Sequence, residues 1–146
     1  FQLDSQLTQE LKALSQQSGC TLFMTLLAAF GLLLSRYSGL SNIIIGSPIA
    51  NRNQAAIEPL IGFFANTLAL RINLSENPSF LELLEQVKQT TLEGYAHQDL
   101  PFEMLVEKLQ PDRDLSRNPL VQVMFALQNI SQVTWNLSGL SVQDLS

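Results

Sequence analysis

The chain has 146 residues, enough for one domain or compact subdomain with a buried core, and its 46% apolar and 14% charged content excludes disorder. A net charge of −5 argues against a nucleic-acid footprint or an anionic membrane surface. Cys20 is the only cysteine, which excludes an internal disulfide and a multi-cysteine metal site, and its apolar neighbours point to a buried thiol.

The first residues, Phe-Gln-Leu-Asp, carry no basic leader, so the chain reads as cytoplasmic and without a membrane partner. Its three Asn-x-Ser sequons (Asn73, Asn129, Asn136) then read as chance matches. A first helix is predicted from Asp4 to Ser18, with Asp4 or Ser5 capping it, Leu7, Leu11 and Leu14 on one face, and Gly19 as a left-handed stop. A second helix, Thr21 to Ser38, closed by Gly39 in the same manner, is apolar on most faces and should be enclosed. Its run Leu22–Leu34 falls short of the roughly 20 residues that a bilayer requires. Asn42–Ser47 suits a buried strand, which Pro48 should end for want of an N–H. A polar loop follows to Pro59, and a second strand is expected over Thr67–Ile72 after a turn at Gly62.

The clearest amphipathic helix should start at Asn77–Pro78, with proline in its first position, and end near His97. Phe80, Leu83, Leu84, Val87, Thr91 and Tyr95 mark its apolar face. Pro101 opens a shorter helix that Pro111 stops, and Pro119 precedes a strand over Leu120–Leu127. Glu82, Glu85, Glu93, Asp99, Glu103 and Glu107, offset by two lysines, read as a solvated helix face, with a docking surface for a basic partner as the lesser reading. Helices interspersed with buried strands make an α/β fold.

Chemistry-bearing residues are sparse. His97 is the only histidine, so a multi-histidine metal site is excluded. Its place at a helix end favours capping of free carbonyls over acid–base work. No nucleophile elbow, phosphate-binding loop or dinucleotide fingerprint occurs.

Four stretches stand out instead: GSPIANR (Gly46–Arg52), IGFFANTLALR (Ile61–Arg71), HQDLPFEMLVEKL (His97–Leu109) and RDLSRNPLVQVMF (Arg113–Phe125). In order and spacing they resemble the later signature motifs of nonribosomal-peptide-synthetase condensation domains, and the resemblance covers nearly the whole chain. It implies one chloramphenicol-acetyltransferase-like half, a mixed sheet with helices packed on it. Relatives pair two such halves as a V around a tunnel and join substrates held as phosphopantetheine thioesters on carrier proteins.

The HHxxxDG motif associated with that reaction belongs to the N-terminal half and is absent here. The resemblance therefore implies a C-terminal subdomain that holds no cofactor and no catalytic residue of its own. It would be inactive alone, with the missing half and peptidyl or acyl carrier proteins as partners. An exposed partner-facing surface would favour self-association.

The resemblance places Gly62, Asn66 and Thr67 along the tunnel face. Asn66 offers two donors and an acceptor for an amide or pantetheine group, against a plain backbone-bonding role. Thr67 would add a hydroxyl. Gln122 or Gln128 would face the tunnel, and residues 128–146 would form a latch reaching the other half. Arg52 and Arg71 are candidates to brace a carboxylate of that half, or else surface arginines. His97, Asp99 and Pro101 read as a structural joint in which Asp99 caps, and Arg117, Asn118 and Pro119 as a turn setting the next strand's register. An epimerization or heterocyclization relative, or a module that only docks carrier proteins, are the competing readings.

Overall fold

A computed structural model describes residues 3–50, 61–62, 64–109 and 118–128. The first helix, α1, spans Ser5–Gln17; Asp4 caps it by accepting the Leu7 N–H at 2.7 Å. Helix α2 runs Leu22–Ser38 from the Thr21 cap to Gly39, whose φ of 72° is the left-handed stop expected there. The two helices meet through a buried hydroxyl pair, Ser15 Oγ and Thr25 Oγ1 at 2.7 Å. Ser15 also donates to the Leu11 carbonyl, so neither group is stranded.

Enclosure of α2 holds only for its first part. Met24, Leu27, Ala28 and Gly31 are buried, whereas Leu33 is 50% and Tyr37 86% exposed where the helix runs past the sheet. Cys20 is half-buried rather than enclosed, and desolvation raises its thiol pKa despite the nearby Lys88. No single helix among the described residues is long and apolar enough to cross a membrane.

Strands β1 (Asn42–Ile49) and β2 (Asn66–Asn73) pair antiparallel over their full lengths, and β3 (Val123–Met124) lies parallel to β1, giving the order β2-β1-β3. Pro48 does not end the ladder, because it pairs with Thr67. Gly46 turns its carbonyl away from β2, where it accepts the Phe125 N–H at 2.8 Å. Two residues on, Pro48 turns its ring nitrogen to the same side, beyond the end of β3, where no donor is needed.

Helix α3 spans Phe80–Ala96 and α4 spans Phe102–Leu109. Pro78 is not the first helical residue of α3. Ser79 is the cap, its hydroxyl accepting the Glu82 N–H while Glu82 accepts the Ser79 N–H. That reciprocal pair satisfies donors that proline could only have lacked.

The core lies between one sheet face and the helices. Ile43, Ile45, Leu68, Leu70 and Ile72 meet Leu27 of α2 and Leu83, Leu84 and Val87 of α3, the last three from the apolar stripe that the helical spacing had marked. Gly31 lets α2 close on Ile72, whose Cδ1 lies 2.7 Å from where a Cβ would sit.

The third strand is far shorter than the expected Leu120–Leu127. A three-residue turn, closed by Val121 N–H to the Pro119 carbonyl at 2.7 Å, holds Leu120 at a φ of 61° and delays pairing to Val123. Just beyond Met124, Phe125 donates its N–H to the Gly46 carbonyl and lays its ring in the aromatic pocket of Phe23 and Phe30, with ring centroids 5.5 and 5.4 Å away.

Candidate functional site

Among the described residues only the β3 segment packs over the sheet face opposite the helices, which is otherwise open. It carries Asn42, Ile44, Gly46, Pro48, Thr67, Ala69, Arg71 and Met124, the residues alternate to those in the core. At its centre Gly46 is buried beneath side chains from the β3 segment. A Cβ there would fall 2.6 Å from Val121 Cγ1, 3.3 Å from Thr67 Cγ2, and against Met124 Sδ. The absent side chain is what lets Val121 seal the strand.

Asn66 begins β2 and organises one end of this face. Its Nδ2 donates to the carbonyls of Gln98 and Leu100, both at 2.8 Å. Its Oδ1 accepts the N–H of Phe102 at 3.0 Å and of Thr67 at 2.8 Å. Both donors and both lone pairs are thus spent on backbone, so the amide has nothing free for a pantetheine group in this arrangement. Of the two roles open to Asn66 in the sequence, backbone bonding is the one the structure holds.

The same geometry reassigns the α3–α4 joint. Asp99 is not the cap of α4; the first N–H of that helix goes to Asn66, and Pro101 supplies the carbonyl bonded by Leu105 N–H at 3.2 Å. His97 caps α3 through its own backbone N–H, bonded to the Glu93 carbonyl at 3.2 Å, while its imidazole makes no hydrogen bond among the described residues. The joint was legible as a joint, but the residue that ties it lay 36 positions away from Phe102 in sequence.

Arg71 aims its fork at a neutral partner, with Nε and Nη2 donating to Asn42 Oδ1 at 3.1 and 2.8 Å. Its charge meets no carboxylate among the described residues, where the only ion pair is Lys88–Glu85. Gln122 Nε2 donates to the Asn118 carbonyl at 3.1 Å, which folds it back onto its own turn beside Pro119. Gly62 is exposed. Arg52, Arg117 and the latch residues 129–146 lie outside the described residues. No cluster of three metal-ligating side chains occurs among the described residues.

Sequence reasoning missed the Ser79–Glu82 box, although its signal was present as Ser-x-x-Glu ahead of an apolar run. The Ser79 hydroxyl, then its backbone N–H, hold the Glu82 carboxyl below its ordinary pKa. A depressed pKa means that this contribution to stability is present above the ordinary carboxylate range and lost as pH falls through the folded-state value. Ser79→Ala is expected to return Glu82 toward its ordinary pKa in an NMR titration of the carboxyl carbon. An unchanged titration curve would show that the hydroxyl is not the cause.

The family model for the condensation domain matches residues 1–146. The chain belongs to the condensation-domain family. It is 54% identical over 143 residues to tyrocidine synthase 3 of Brevibacillus parabrevis, covering 98% of this chain and 2% of that one. Against malpinin synthetase of Mortierella alpina it is 53% identical over 139 residues, covering 95% and 2%.

Among solved structures, a four-domain nonribosomal peptide synthetase bound to AMP and glycine superposes with a TM-score of 0.86 at 27% identity, covering 90% of this chain and 10% of that one. The condensation domain of a Monacolin K polyketide synthase gives 0.74 at 28% identity, covering 85% and 29%. This condensation-domain chain has the chloramphenicol-acetyltransferase-like α/β fold that its motifs implied, and it spans only a small fraction of the synthetases it matches.

Proposed function

We propose that this chain is the acceptor-side, C-terminal half of a condensation domain that forms amide bonds between aminoacyl or peptidyl groups carried on phosphopantetheine. The observation that carries this reading is the open sheet face. One side of the sheet holds the core, while the other presents Thr67, Ala69 and Arg71 beside the patch where Val121 and Met124 pack over Gly46. A wall of that kind suits a tunnel bounded by a second half. Thr67 would offer its hydroxyl there, Gly62 and Gln122 would line its margins, and Arg71 and Arg52 would meet carboxylates of the partner half. The cytoplasm, where carrier proteins are loaded, is the compartment this role requires.

In this reading the chain does no proton transfer. The 146 residues contain a single histidine and no HHxxxDG, and His97 sits at a helix joint serving as a cap. Incubated with loaded donor and acceptor carrier proteins, the chain alone is expected to yield no amide product. Addition of an N-terminal half bearing HHxxxDG should produce it. Product from the chain alone would overturn the proposal, and so would failure of the two halves together to exceed the N-terminal half by itself.

Self-association follows from the same face. Ile44, Pro48 and Met124 are exposed side by side, and an apolar patch without a cover favours pairing of copies. Sedimentation should show association that grows with concentration. A monodisperse monomer at high concentration would count against an adhesive face.

A further inference from the structure

Among the described residues strand β2 is the outer strand of the sheet, with no strand paired to its far edge. The Leu74 N–H bonds the Ser41 carbonyl at 2.7 Å, which sets the alternation of the ladder. The backbones of Leu68, Leu70 and Ile72 therefore turn toward β1, and those of Ala69, Arg71 and Asn73 turn outward. Among the described residues the outward N–H and C=O groups of these three have no hydrogen-bond partner. An edge of this length without a proline or a bulge is a template for another strand.

A groove of 720 Å³ runs beside that edge, between Arg71–Asn73 and a stripe of α3 carrying Glu82, Glu85, Gln89 and Glu93. The Glu93 carboxylate has no hydrogen bond or ion pair among the described residues, both side-chain bonds to Glu82 fall on one oxygen, and Glu85 is shared between Lys88 and Gln89. Arg71 does not neutralise the stripe, because its guanidinium is turned onto Asn42 on the open sheet face.

We propose that this edge and groove form a strand-addition site for an extended, lysine-bearing polypeptide segment. The outward positions Ala69, Arg71 and Asn73 repeat every second residue, so an added strand finds a regular ladder. Alternate side chains of that strand fall on the α3 side, where the carboxylates favour lysine. The intervening ones fall beside Ala69 and Arg71, where an uncharged residue fits. The site thus selects a Lys-x-Lys-x-Lys pattern with uncharged x and no proline. This goes beyond the proposed role in amide formation and does not depend on it.

The test uses the whole chain and a short capped peptide alternating lysine with threonine. NMR titration is expected to show saturable shifts at Ala69, Arg71 and Asn73, with slowed exchange of their amides. The same peptide N-methylated at alternate residues, which cannot complete a ladder, should not bind. Glu85→Gln combined with Glu93→Gln, both surface changes, should weaken binding about threefold or more at low salt. Equal binding of the N-methylated peptide, shifts lying elsewhere than β2, or indifference to the charge-neutralised variant would each overturn the proposal. So would occupation of the edge by a second copy of the chain in the absence of peptide.

Discussion

Replacing Asn66 with alanine should lower the stability of the chain by about 2–3 kcal/mol, read as a fall in the urea midpoint with little change in slope. Four hydrogen bonds end on this one amide, two to carbonyls of the α3–α4 joint and two from backbone N–H groups. Each neutral bond contributes about 1 kcal/mol net, and the total is reduced because the partly exposed carbonyls regain water. Helix α4 buries none of its residues fully, so this tether is a large part of what seats it.

Asn66→Asp sharpens the test. It keeps the acceptor for Phe102 and Thr67 but sets a carboxylate against the carbonyls of Gln98 and Leu100, so at neutral pH it should cost more than alanine. Part of that loss should return on acidification, when the protonated carboxyl donates one bond. A variant as stable as the parent would show that α4 is held by packing instead.

The second large effect is expected at Gly46. Gly46→Val places a Cβ 2.6 Å from Val121 Cγ1 and against Met124 Sδ, in a strand that is paired on both sides. The end of Met124 can swing away, since that residue is 51% exposed, but Val121 is buried and can move only with its backbone. Overpacking of this kind costs about 1–3 kcal/mol, and the upper end applies because β3 must shift. With it goes the Phe125 N–H bond to the Gly46 carbonyl, and the Phe125 ring loses its seat against Phe23 and Phe30. A loss of near-ultraviolet aromatic dichroism ahead of global unfolding is the expected signature. Unaltered aromatic signal and midpoint would mean that β3 adapts without leaving β1.

Local structure was legible wherever a residue acts on its neighbours. Asp4, Gly19 and Gly39 cap or stop their helices because capping reaches only three or four positions along the chain. The apolar spacing of Phe80–Tyr95 marked a face whose Leu83, Leu84, Val87 and Thr91 are buried, because periodicity maps directly onto one helix face, while Tyr95 at its end is exposed. Pro48 and Leu120 show where such reading stops. Proline was expected to end a strand, yet whether it does depends on which side β3 occupies. The apolar run from Leu120 was expected to pair throughout, yet a turn at its start delays pairing and leaves two paired residues.

The amino-acid sequence by itself determined the family and the α/β class, since motif order and composition are properties of the string. Tertiary structure decided what the motif residues do. Asn66 could have faced a ligand or a backbone, and only the arrival of the α3–α4 joint, more than thirty residues later in the chain, settled which groups fill its hydrogen bonds. Gly46 was expected within a strand, and only the packing of Val121 and Met124 over it made it a contact point. Hydrogen bonds and steric contacts between segments far apart in sequence exist only once the chain has closed on itself, and these two residues are made by such contacts.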